Sequence, residues 1–169
     1  MKLLFNTLAF TLFLSPLFAQ PTFDELFYKD DPKGLQESYR QSIQKHNKEI
    51  QLNPQDAQAY ASRGNAKSGL EDYRGAILDF SKAIELEPNG RYYYYRGLAK
   101  SNLNDFAGAI LDFDKAVEQN ARALLKYTYL ERGLAKINMG QKDSGCLDLS
   151  KAGELGHENA YSTIRKLCN

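Results

Sequence analysis

One block of this chain is written three times. Tyr60, Arg63, Gly64, Ala66 and Lys67 return as Tyr93, Arg96, Gly97, Ala99 and Lys100, and again as Tyr129, Arg132, Gly133, Ala135 and Lys136. Residues 60–85 laid over 93–118 agree at 17 of 26 positions, and the copies are 33 and 36 residues apart. A unit of that length cannot close a core alone; it buries its apolar face against its neighbours, which restricts the chain to a stacked array. The predicted fold is all-α, a helical solenoid of stacked antiparallel helix pairs. Such a fold offers an extended surface rather than a catalytic pocket.

Each copy holds two apolar periodicities at helical spacing with a turn between them. In the first copy the spacing predicts a helix over 57–69, a turn at Leu70-Glu71-Asp72, and a second helix with a buried stripe of Ala76, Ile77, Phe80, Ala83 and Ile84. Pro88-Asn89-Gly90 stops it. The second copy has Ala109, Ile110, Phe113, Ala116 and Val117, but Ala121 in place of the terminal Pro and extra residues before Leu125. The third has Gly145, Cys146, Leu149 and Ala152. The small pairs Gly64/Ala76, Gly97/Ala109 and Gly133/Gly145 are expected to face each other and let the two helices approach closely.

With Tyr60, Gly64, Ala76, Phe80 and Pro88 at these positions, the chain resembles the tetratricopeptide-repeat family over about residues 57–159. The resemblance implies a right-handed superhelix that binds a peptide or protein along a concave groove. Arg63, Arg96 and Arg132 stand where that family usually has Leu, and Lys67, Lys100 and Lys136 where it has Tyr, so these copies form a variant repeat. In the family's geometry Tyr93 is the repeat's buried aromatic. Tyr94, Leu98, Ser101 and Asn102 line the groove, joined by Tyr127, Leu130, Leu134 and Asn138 from the next repeat and Ala61, Asn65 and Ser68 from the previous one. A protein or peptide partner is therefore expected near Asn65, Tyr94, Leu98, Asn102, Tyr127, Leu130, Leu134 and Asn138, with Tyr and Leu supplying the contact area.

The expected organisation is a signal peptide at 1–19, a flexible segment at 20–33, a leading helix at 34–56, repeats at 57–89, 90–125 and 126–156, and a closing helix at 157–169. The leading helix aligns Ser42, Ile43, Lys48, Ile50, Leu52 and Pro54 with the second helix of the first repeat, so it reads as half of a degenerate repeat. The closing helix presents Ala160, Tyr161, Ile164 and Leu167 as an apolar face to cap the stack. At the other end, Lys2, an apolar run and Ala19–Gln20 have the three parts of a secretory signal. The run is short for a bilayer span and Pro16 interrupts it, so cleavage is expected, leaving no stable membrane span. The expected destination is a bacterial periplasm or the exterior. Losing Lys2 leaves 21 basic residues (22 less one) against 21 acidic ones, a neutral chain with no concentrated positive field, which argues against nucleic-acid binding.

Two features invite chemistry. Cys146 and Cys168 fall on antiparallel helices at nearly matched distances from the turn at Leu155-Gly156, close enough for a disulfide in an oxidising compartment; two buried thiols are the alternative. Arg63, Arg96 and Arg132 each precede an Asp (Asp79, Asp112, Asp148) by the same interval. That regularity favours an ion pair within the scaffold over a basic ladder for an acidic ligand. No phosphate loop, nucleophile elbow or metal-binding His pair occurs, and His46 and His157 lie at opposite ends. The reading is non-enzymatic, with no cofactor. The alternatives are a self-associating or envelope-complex subunit and, less favoured, an envelope enzyme.

Overall fold

The structure is a computed structural model describing residues 32–119 and 121–168. The expected signal peptide and residues 20–31 lie outside the described residues. Among the described residues there are eight α-helices and no strand: α1 (Pro32–Leu52), α2 (Ala57–Gly69), α3 (Tyr73–Leu86), α4 (Gly90–Asn102), α5 (Phe106–Glu118), α6 (Leu125–Asn138), α7 (Lys142–Glu154) and α8 (Ala160–Leu167). Residues 32 and 33, expected within a flexible segment, already belong to α1; Pro suits the first helical position, where its missing N–H leaves nothing unsatisfied.

Helices α2/α3, α4/α5 and α6/α7 form the three tightest pairs, and each pair packs on the next through α3/α4 and α5/α6. The first helices α2, α4 and α6 also touch in succession, so they share one face. Local sequence sets the helix ends. Asp56, Asp72 and Asp105 cap α2, α3 and α5 by accepting from the N–H of Ala59, Gly75 and Gly108 at 2.9–3.0 Å. Each intra-pair turn needs one left-handed residue, filled by Glu71 (φ 61°), Asn104 (φ 61°) and Gly140 (φ 79°) in turn. Where the second repeat lacks its Pro, a short 3-10 turn over Arg122–Leu124 leads into α6.

The core is a column of small residues and two phenyl rings: Ala76, Phe80, Ala83, Ala109, Phe113, Ala116 and Ala152 are fully buried. The close approach at the glycines takes two forms. A Cβ at Gly97 would lie 2.7 Å from Phe113 Cε1, and one at Gly64 3.1 Å from Phe80, so in the first two pairs the phenyl ring packs directly against the glycine. In the third pair the two glycines themselves meet, a Cβ at Gly133 falling 2.8 Å from the Gly145 carbonyl.

The caps also differ in detail from expectation. On α8, Ala160 is buried but Tyr161 and Leu167 are exposed, because the Tyr161 ring lies over Gly153 with its far side in water. The sulfurs of Cys146 and Cys168 are bonded, with a Cα–Cα separation of 6.0 Å, tying the end of the chain to α7. At the other end α1 meets α2 through side chains: Tyr39 packs on Gly69, and Asn47 Oδ1 accepts from Arg63 at 2.8 Å. Among the described residues no helix is long and apolar enough to cross a membrane.

Candidate functional site

The repeated Arg and Asp are scaffold. Arg96 donates through Nε and one Nη to both oxygens of Asp112 at 2.9 and 2.6 Å, and Lys100 reaches the same carboxylate at 2.7 Å. Arg63 and Lys67 do the same to Asp79, and Arg132 and Lys136 to Asp148. All three carboxylates are buried. Each guanidinium also lies over a ring of its own helix, Tyr60, Tyr93 or Tyr129, at 5.1–5.6 Å. Its second Nη donates backwards to the preceding second helix, to Asn47, Ser81 or Asp114. One Arg per repeat therefore joins both helices of its own pair to the pair before it. The basic ladder is already occupied.

The surface left for a partner is the face shared by α2, α4 and α6. Two clefts open there. One, of about 220 Å³, lies between α4 and α6 and is lined by Leu98, Ser101, Asn102, Glu131, Leu134 and Asn138, with Phe106 and Ala135 behind. The other, of about 320 Å³, lies between α1, α2 and α4 and is lined by Tyr39, Asn65, Ser68, Tyr73, Tyr95, Leu98 and Asn102 among others. Leu98 and Asn102 belong to both, so the clefts adjoin. Asn65, Leu98, Asn102, Leu134 and Asn138 thus stand together as the sequence suggests.

Tyr94 does not. It is only 8 % exposed, its ring 6.1 Å from Phe113 and 5.2 Å from Tyr95, and burial pushes its phenol well above the ordinary range, with the Glu131 charge adding to the shift. Tyr93, expected as the buried aromatic, is half-buried beneath Arg96. The physical reason is the position of α4, which touches α2, α3, α5 and α6. A helix with neighbours on so many sides leaves none of the run Tyr92–Tyr95 exposed. Tyr92 is buried too and donates to Gln58 at 3.3 Å. Tyr127 and Leu130 lie on α6 outside the linings of both clefts; Tyr127 packs edge-on against His157 at 5.2 Å and beneath Lys126. Burial, then the Lys126 charge, holds the His157 imidazole below its usual range.

Sequence reasoning missed two features. Glu131 reaches the first cleft, and burial holds its carboxyl above the usual range. Leu78, Leu111 and Leu147 recur at one position of each second helix and are 72, 66 and 72 % exposed, an apolar row away from the clefts. The repeat spacing alone could have flagged the leucines. Among the described residues no group of His, Cys, Asp and Glu could hold a metal ion.

Comparison with known proteins agrees with this architecture. The family model Tetratricopeptide repeat matches residues 57–89 and 90–122. The crystal structure of MamA superposes with a TM-score of 0.71 over 79 % of each chain at 20 % identity, a likeness of fold alone. The TPR domain of Arabidopsis OM64 gives 0.62 over 66 % of this chain and 93 % of that one, at 24 % identity. The first TPR of Spaghetti (RPAP3), solved bound to the HSP90 peptide SRMEEVD, gives 0.63 over 68 and 91 %, at 25 % identity. A UDP-N-acetylglucosamine–peptide N-acetylglucosaminyltransferase of Giardia intestinalis is 34 % identical over 73 residues, 43 % of this chain. The chain spans 5 % of that enzyme's length, so the likeness reaches a small part of it. Residues 57–122 of this all-α stack are thus two tetratricopeptide repeats by their match to the family model, and the third helix pair is pinned by the same Arg–Asp–Lys cluster.

Proposed function

We propose that this chain is an exported, non-enzymatic adaptor that seats a segment of a partner protein along the face of α2, α4 and α6. The observation that carries the reading is the pair of adjoining clefts, which share Leu98 and Asn102 and make a continuous, partly apolar channel. A shallow channel of this kind suits an extended chain better than a reaction that must exclude water. The structural relative solved bound to the HSP90 peptide SRMEEVD supports peptide binding by the fold. Leu130 and Tyr127, one and two turns before Leu134 on α6, would extend the contact.

The test is capture of partners by the full chain, followed by reconstitution of the purified pair. Leu98→Asp and Leu134→Asp are expected to weaken the pair about tenfold or more while leaving the melting temperature near that of the wild type. A partner indifferent to both changes would remove the reading. Export rests on Lys2, the apolar run and Ala19, with the disulfide consistent with an oxidising compartment. The mass of the protein recovered from an envelope fraction should correspond to a chain starting at Gln20.

The row of Leu78, Leu111 and Leu147 favours a second reading, an assembly subunit that associates through its second helices. Light scattering over a concentration series, with Leu111→Glu as the control, separates the two.

A further inference from the structure

Charge around the α4–α6 cleft is unevenly matched. Lys67, Lys100 and Lys136 each have an Asp within 2.8 Å. Glu131 is the converse. It is half-buried at the cleft, and among the described residues no cation pairs with it and no donor reaches its carboxylate. Burial alone accounts for its raised pKa, with no neighbouring positive charge drawing it down. The surroundings are rich in acceptors. Ser101 Oγ is buried in the same lining, with no hydrogen-bond partner among the described residues. Asn102 and Asn138 donate their amides to the Leu98 and Leu134 carbonyls at 2.9 and 3.0 Å, which leaves each amide oxygen as an acceptor. The phenol of Tyr94 is near enough to feel the Glu131 charge, with Tyr95 and Tyr127 close by.

A carboxylate and acceptor oxygens set among Leu98 and Leu134 complement a side chain with an aliphatic stem and a cationic head. An acidic group would meet repulsion from Glu131. An apolar one would cover the carboxylate and hydroxyl without satisfying either. At about 220 Å³ the cleft is smaller than a drug-sized pocket of about 300–1,000 Å³ and suits a single long side chain.

We propose that the α4–α6 cleft is a pocket for one basic side chain, Lys or Arg, carried by the partner's extended segment, with the Glu131 carboxylate as its counter-ion. The proposal rests on the groove reading above and names the chemistry of the partner. It also sets this chain apart from an acidic ligand such as the peptide SRMEEVD bound by the structural relative.

The test is selection of a random heptapeptide phage library on the full chain. Wild-type binders should converge on Lys or Arg at one position. Synthetic peptides from that selection should bind Glu131→Gln about tenfold more weakly, while their norleucine analogues bind both proteins alike. Glu131→Lys should turn the selected preference towards Asp or Glu, which shows that charge rather than a damaged fold is read out. Binders that need Leu134 but carry no basic preference, or basic peptides that bind Glu131→Gln as tightly as wild type, would overturn the proposal and leave the groove reading standing. A library that yields no binder, or binders indifferent to Leu134→Asp, would remove the groove reading and the proposal with it.

Discussion

Glu131 takes the place that Ser62 and Tyr95 hold in the two preceding repeats, an exchange of hydroxyl and aromatic for a carboxylate. Its ionised form is desolvated in the folded chain, so its folded pKa is raised above the unfolded value of 4.5. The protonated form is therefore the one the fold favours: stability from this group is full below pH 4.5 and is lost as pH rises through the folded pKa. Glu131→Gln should thus raise the melting temperature at pH 7, and the gain should vanish in acid, as a pair of thermal melts at two pH values will show. Gly97 is the opposite case, a residue whose absence of a side chain is the interaction. Gly97→Leu should cost on the order of 1–3 kcal/mol or more through collision with Phe113, measurable by urea titration. Glu71 holds φ 61° with a side chain, and Glu71→Gly should stabilise by up to about 1 kcal/mol on the same measurement. Tyr93 departs from its expected burial and Tyr94 from its expected place on the groove. Helical periodicity and family geometry fix the direction in which the Tyr94 Cα–Cβ bond leaves α4, but its long ring then folds onto Phe113, and that depends on neighbours from other repeats. Carboxylates are common in this chain, so nothing in the sequence marked Glu131 as half-buried at the cleft.

At the scale of the element, the repeat was legible because its signals agree. The spacing of Tyr60, Gly64 and Lys67 predicts a helix over 57–69, and α2 spans Ala57–Gly69. The 16-residue interval from Arg to Asp anticipated the bridge across each pair. The backward link of each Arg to the preceding pair was hidden, since Asn47, Ser81 and Asp114 are three different side chains with only hydrogen-bond acceptance in common. These bridges are buried, and removing the shared acid strands two cations. Asp112→Ala is expected to destabilise by about 3 kcal/mol or more, whereas Glu118→Ala, which breaks an exposed pair with Lys115, should change stability by at most about 0.5 kcal/mol. Chemical denaturation of the two variants side by side decides the point. The backward link also gives α1 its place. Asn47 meets Arg63 as Ser81 meets Arg96, so α1 stands as the second helix of a leading half-repeat.

For the whole molecule, the stack of pairs and its disulfide could be read from spacing, because both depend on distances along regular helices. The face that would hold a partner was legible as a row of positions, Asn65, Leu98, Asn102, Leu134 and Asn138, but the charge within it was not. The two ends of the array are fastened unequally. Cys146 and Cys168 lock α8 onto α7 covalently, while among the described residues α1 has no covalent tie and meets α2 through noncovalent contacts such as the Tyr39 ring on Gly69 and the Asn47–Arg63 hydrogen bond. In a structure whose units lean only on their neighbours, loss of order starts wherever the outermost unit is least anchored. Amide protons of α1 should exchange with solvent first, followed by those of α2 and α3, with α7 slowest. Severing the sulfur bridge with reductant, at a cost of roughly 3 kcal/mol, should make this polarity disappear, and the array would then come undone from both tips like a cord with neither end knotted.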